Sequence, residues 1–130
     1  MGAPAAGAVV LVRFPFSDLS QTKLRPAIVL ADAGRGDTVL RQVTSKSYSD
    51  DGAVAITAGD FASGSLSVTS FARPGKIFTA NESLVSSTVG NLKQEALARV
   101  ADAIIELLRS GIAKNPETQT DTTATDPPEN

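Results

Sequence analysis

Neither cysteine nor histidine occurs anywhere in the 130 residues. The first absence excludes disulfides and thiolate metal sites, and the second excludes imidazole acid–base chemistry and nearly every zinc site. Aromatic side chains are scarce, five Phe and one Tyr, so few rings are available to stack against a base or ligand. Long apolar runs are missing as well. Residues 9–12 (VVLV) are too few for a membrane span or the apolar part of a secretion signal, and no basic segment precedes them. A cytoplasmic protein is expected, with its chemistry carried by other groups.

What is present is enough for one core. A chain of this length with 42% hydrophobic residues fits a single domain. The formal net charge of −2 hides an uneven partition: residues 115–130 hold Glu117, Asp121, Asp126 and Glu129 and no Lys or Arg. Residues 1–114 therefore carry all 12 basic groups against 10 of the 14 acids, a net of +2. A mildly basic body can hold a phosphate chain locally, although it lacks the broad positive field of a non-specific nucleic-acid binder. The acidic end has no aliphatic side chain larger than Ala. A folded unit over residues 1–111 and a disordered acidic tail over 112–130 are expected.

Taken in order, residues 8–14 are apolar and β-rich and predict a first strand, ended by Pro15. Residues 16–24 (FSDLSQTKL) form a polar loop of the kind that carries function. Next come an apolar run at 27–30, turn residues at 34–37 and a β-branched run at 38–43. Residues 46–52 (KSYSDDG) read as a turn and 54–56 as a short strand, and the glycines within 59–64 read as punctuation. Leu66, Val68 and Ser70 alternate with Ser67, Thr69 and Phe71 as in a half-buried strand, Pro74-Gly75 interrupts, and residues 76–79 resume as a short strand before a turn at 81–83. From Leu92 to Leu108 the apolar period becomes helical. Asn91 is the expected N-cap, with Glu95 in the first turns, Arg109 in the last and Gly111 as the stop. This order predicts a mainly β fold, a small curled sheet or barrel, with a C-terminal helix packed on it.

The pair of strands around the turn at 34–37 gathers the chemistry. Arg25 opens the first strand with Lys23 just ahead of it, and the second strand delivers Thr44, Ser45 and then Lys46. An arginine fork, two hydroxyls and ammonium groups are an inventory for handling phosphate. Lys46 alone is more often a solvated strand end, and Thr44 alone a β-branched strand residue. Tyr48, in a polar loop, is the best candidate to stack on a base, whereas Phe in so small a fold is more often core.

The segments GAVVLVRFPF, KLRPAIVL, QVTSK, GSLSVTSFARPGKIFTA and VGNLKQEAL, in this order, resemble the PemK/MazF family of toxin ribonucleases from bacterial toxin–antitoxin pairs, over about residues 7–110. The Arg25-Pro26 pair opening one strand and the Thr44-Ser45 pair closing the next are the most specific pieces. The resemblance implies an SH3-like barrel that dimerises and cleaves single-stranded RNA without a metal or cofactor. It also implies attack of the ribose 2′-hydroxyl on the adjacent phosphate, leaving a 2′,3′-cyclic phosphate. Arg25 and Thr44 would stand at the catalytic positions, with Ser45, Lys46, Asp18, Lys23, Tyr48, Arg73 and Lys76 as RNA contacts. A cognate antitoxin is the implied protein partner; DNA would be met only through the antitoxin complex, and no membrane.

The chain departs from better-known members of that family. The loop ahead of Arg25 has Ser20 where others carry a glutamate, with Asp18 the nearest acid; Leu24 stands where some have histidine; and Ser70 and Ala72 stand where others have Arg and Asp. No general base is assigned. A toxin of the same fold that binds a protein target, as the gyrase-poisoning relatives do, is the competing reading, followed by a catalytically lapsed binding module.

Overall fold

A computed structural model describes residues 4–15, 22–46 and 52–117. Among the described residues seven strands, β1 (Ala8–Pro15), β2 (Thr22–Gly34), β3 (Asp37–Thr44), β4 (Val54–Ile56), β5 (Phe61–Gly64), β6 (Ser70–Asn81) and β7 (Val85–Leu92), precede one α-helix, α1 (Gln94–Ala113). The strands form a single sheet in the order β4-β6-β3-β2-β1-β7-β5, with every neighbouring pair antiparallel.

The sheet has to curl. Laid flat, its two edges would stand roughly 29 Å apart at a strand spacing of about 4.8 Å. The edges are β4 and β5, joined only through residues 57–60, which reach at most about 18 Å when stretched. Curling brings Ile56 of β4 and Phe61 of β5 into one core cluster with Val9, Ile28, Val43, Ala72 and Leu92 from the other strands and Ala96 and Val100 from α1. The opposite face of the central strands buries a second cluster, Ala8, Val10, Val12, Ala27, Val29, Leu40 and Ala80. With period-two alternation, both faces of β1 and β2 are covered, which is why their apolar runs are continuous.

Several expectations from the sequence need correction. Residues 59–64 are a 3₁₀ turn (Ala58–Asp60) followed by strand β5, not a simple break. Residues 65–69 are irregular, and the strand begins only at Ser70; from there β6 runs unbroken through Pro74-Gly75 to Asn81. Strand β7 was not anticipated, because VSSTVGNL is a polar run; its place is set by pairing with β1 on one side and β5 on the other.

Asn91 belongs to β7 and donates from Nδ2 to Ser63 Oγ at 3.1 Å, so it does not cap the helix. Lys93 takes the N-cap position without a side-chain cap, and α1 continues through Gly111 to Ala113, leaving Arg109 short of the last turn. Only Ala96 and Val100 of α1 are buried, and the second half leaves Leu108 60% and Ile112 65% exposed. The tight turn between β2 and β3 is as expected, with Arg35 and Gly36 both at positive φ, the backbone of a two-residue hairpin that follows the strand twist.

Candidate functional site

Strand register brings the candidate residues together. In the β2–β3 ladder Ala27 faces Gln42 and Val29 faces Leu40. Continuing that register past the last paired row sets Arg25 opposite Thr44, on the face that buries Ala27, Val29 and Leu40. On its other side Arg25 pairs with Val12 of β1. The Nε of Arg25 is buried. Both residues thus stand where the apolar row of this face runs out, at the open end of the ladder.

Strand β6 adds a third wall. Thr44 pairs with Phe71 and Val43 with Ala72, but Arg41 pairs with Ile77. Residues 73–76 therefore stand opposite Gln42 alone. This large bulge absorbs Pro74, which has no N–H to give to a ladder, and it turns Arg73 toward the end of the β2–β3 pair.

The result is an open cleft of about 570 Å³ lined by Lys23, Arg25, Lys46 and Arg73, by the hydroxyls of Thr44, Ser45, Ser67 and Ser70, and by Gln42. None of the described residues that line it is acidic. Leu24, Leu66 and Val68 supply an apolar flank. The oxygen of Thr44 accepts the backbone N–H of Lys46 at 3.2 Å. That contact fixes the hydroxyl in the turn that ends β3 and leaves its proton for an incoming oxygen.

Of the residues singled out in the sequence, the cleft unites Arg25, Thr44, Ser45, Lys46, Lys23 and Arg73. Lys76 is exposed at the far end of the β6 bulge, which separates it from Arg73, and is not among the residues lining the cleft. Asp18 and Tyr48 lie outside the described residues. Gln42, Ser67 and Ser70 were missed. Gln42 was legible in principle from QVTSK, since alternation puts it on the same face as Thr44.

A family model describing PemK-like, MazF-like toxins of type II toxin–antitoxin systems matches residues 5–108. The chain belongs to this family. Solved structures agree in fold: a MazE–MazF complex of Deinococcus radiodurans superposes with a TM-score of 0.69 at 22% identity, covering 84% of this chain and 98% of that one. An endoribonuclease in complex with its cognate antitoxin from a mycobacterial species gives a TM-score of 0.64 at 16% identity, covering 84% and 96%. The Mycobacterium tuberculosis toxin MazF-mt6 gives 0.62 at 15% identity, covering 78% and 96%. Among curated proteins none matches the sequence. As a toxin of this family the chain has the expected mainly β fold with its C-terminal helix, realised as a curled sheet whose two edge strands share one core. Among the described residues no helix is long and apolar enough to cross a membrane.

Proposed function

We propose that this toxin is an endoribonuclease that cleaves single-stranded RNA at the cleft between β2, β3 and β6. The observation that carries the reading is the convergence of four cations and four hydroxyl residues, with no carboxylate among the described lining residues, at the open end of one ladder. Such a lining attracts a phosphate backbone and stabilises added negative charge on it.

In the reaction proposed, the ribose 2′-oxygen attacks the adjacent phosphorus, the bond to the 5′-oxygen breaks, and a 2′,3′-cyclic phosphate and a 5′-hydroxyl result. The guanidinium of Arg25 offers paired donors to non-bridging oxygens of the phosphorane, and the Thr44 hydroxyl donates a hydrogen bond to a further oxygen, with Ser45 beside it. Lys23, Lys46 and Arg73 hold the flanking phosphates. The charge that develops is met by groups of the chain itself, so the reaction is metal-independent. Among the described residues that line the cleft there is no carboxylate or imidazole; the 2′-proton passes to solvent, and the departing 5′-oxygen takes up a proton from solvent.

A labelled single-stranded RNA incubated with pure protein in EDTA tests this. Cyclic-phosphate ends are expected; RNA left intact through long incubation would reject cleavage and favour a protein target.

The same reading places the toxin in the cytoplasm, where its RNA is, and gives it an antitoxin that covers the cleft. It also makes the toxin a homodimer, because pairing would remove from water the apolar side chains that the second half of α1 leaves exposed. Light scattering that returns a monomer mass at every concentration would reject the dimer.

A further inference from the structure

Arg41 is the largest side chain buried to 0% exposure, and it lies on the face of β3 opposite Gln42 and the cleft. Among the described residues its guanidinium is met by backbone carbonyls alone: Nε donates to Arg73 O at 2.8 Å, Nη2 to Ala72 O at 2.8 Å and Nη1 to Val100 O at 2.7 Å. A buried charge with no carboxylate beside it is costly unless its donors are well used. Nothing in packing requires a cation at a position flanked by Ile28 and Ile77 in the neighbouring strands.

The three acceptors identify what the side chain holds. Ala72 and Arg73 begin the bulge of β6, where four residues face one and the regular ladder with β3 is broken. Val100 is one of the two buried residues, with Ala96, by which α1 seats on the core. Only a planar fork with five donors reaches acceptors on two elements at once.

We propose that Arg41 is a positioning residue of the RNA site. It holds the β6 bulge in the shape that delivers Arg73 to the cleft and ties that shape to α1. The inference rests on reading the cleft as RNA-binding. Burial lowers the guanidinium from its ordinary value to about 10. It stays charged at neutral pH, so its field adds to that of the cleft cations through one strand's thickness.

The test is a double-mutant cycle read by binding of an uncleavable 2′-O-methyl oligoribonucleotide. Arg73→Ala is expected to weaken binding and to reduce the salt slope by about 0.7, the loss of one phosphate contact on a single strand. Arg41→Lys keeps the charge and loses the fork. It is expected to weaken binding severalfold and to raise KM in cleavage with kcat preserved, yet to add nothing in the Arg73→Ala background. Additive losses would overturn the proposal and return Arg41 to packing. If wild-type protein binds no RNA, the functional reading falls and this inference with it; binding by wild type together with additive variants removes the inference alone.

Because Arg41→Lys removes buried hydrogen bonds and can fail to fold, wild-type protein supplies a second measurement. The Arg41 Nε–H resonance should shift on adding the oligonucleotide and stay put in the Arg73→Ala protein. A resonance that ignores RNA in the wild type overturns the proposal.

Discussion

The cleft and the far edge of the sheet, where β5 meets β7, are built in opposite ways. At the cleft the strands splay, the ladder ends, and side chains occupy the space: Arg25, Thr44, Arg73 and their neighbours. At the β5–β7 edge the backbones themselves close up. Gly64, at φ +67°, faces Gly90, and a methyl group on Gly64 would run into the carbonyl of Val89, while one on Gly90 would meet the ring of Phe61 at 2.7 Å and Ser63 O at 2.8 Å. The first leaves open space between its side chains, and the second leaves no room for a Cβ at Gly64 or Gly90.

The largest expected effect separates the two. Arg25→Ala should lower RNA cleavage by roughly 10²–10³, the typical consequence of losing one preorganised donor at a developing charge, while the urea midpoint stays near wild type. Arg25→Lys should not rescue it, since an ammonium lacks the paired geometry. Thr44→Val tests the hydroxyl alone at nearly constant shape, and its loss should fall on kcat. Near-normal cleavage by Arg25→Ala would end the assignment of the site.

Next comes the opposite edge. Gly64→Ala must displace backbone and adopt a φ that side chains avoid, and a loss of about 3 kcal/mol is expected, read as the denaturant midpoint. At temperatures where the variant is folded, its cleavage rate should be normal. A Gly64→Ala protein as stable as wild type would show that β5 is not clamped to β7.

A smaller effect belongs to the connector between the edge strands. Asp60 accepts from Thr57 N at 2.8 Å and Thr57 Oγ1 at 3.2 Å, and from Arg99 of α1 at 2.7 Å. The backbone N–H of Thr57 leads in holding this carboxyl below its ordinary 3.8, with burial opposing and Arg99 assisting. A depressed acid stabilises the fold fully above its unfolded value and loses that contribution as pH falls through the folded one. Asp60→Asn should therefore lower the midpoint at neutral pH and flatten the acid limb below pH ~4. An unchanged acid limb would reject the linkage.

The smallest effects lie at the end of the chain. Gly111 has helical neighbours and open space where a Cβ would go, so Gly111→Ala should stabilise by about 0.5–1 kcal/mol. Deleting residues 118–130 should leave the thermal midpoint where it was, as their composition suggests. A fall of many degrees would show that the tail docks.

The same contrast explains what could be read from the sequence. The β2–β3 hairpin was legible because its partners are adjacent in the chain, and the proposed site because it rests on residue types that share one cleft: Arg25, Thr44, Ser45 and Lys46. The β5–β7 edge was not, since its glycines resemble turn punctuation and VSSTVGNL has no apolar signal of its own. Strand β6 was split in two on the strength of Pro74-Gly75. The group that spans this region, Arg41, bonds to carbonyls 31, 32 and 59 residues away, a relation no local pattern contains. Likewise, Gly111 was taken as a helix stop, but a glycine in ordinary helical conformation costs the helix only about 1 kcal/mol and does not end it.

Strand β1 lies in the middle of the sheet between β2 and β7, and this sets a clock. During synthesis β1 gains its first neighbour early but keeps a bare edge until residues 85–92 have emerged, and an unpaired apolar edge is a site for wrong partners. The strands that line the cleft precede β7 in the chain, yet the Val100 carbonyl that accepts from Arg41 comes later still. A nascent toxin still tethered to its ribosome thus has the cleft's residues without the closed sheet and seated helix beneath them.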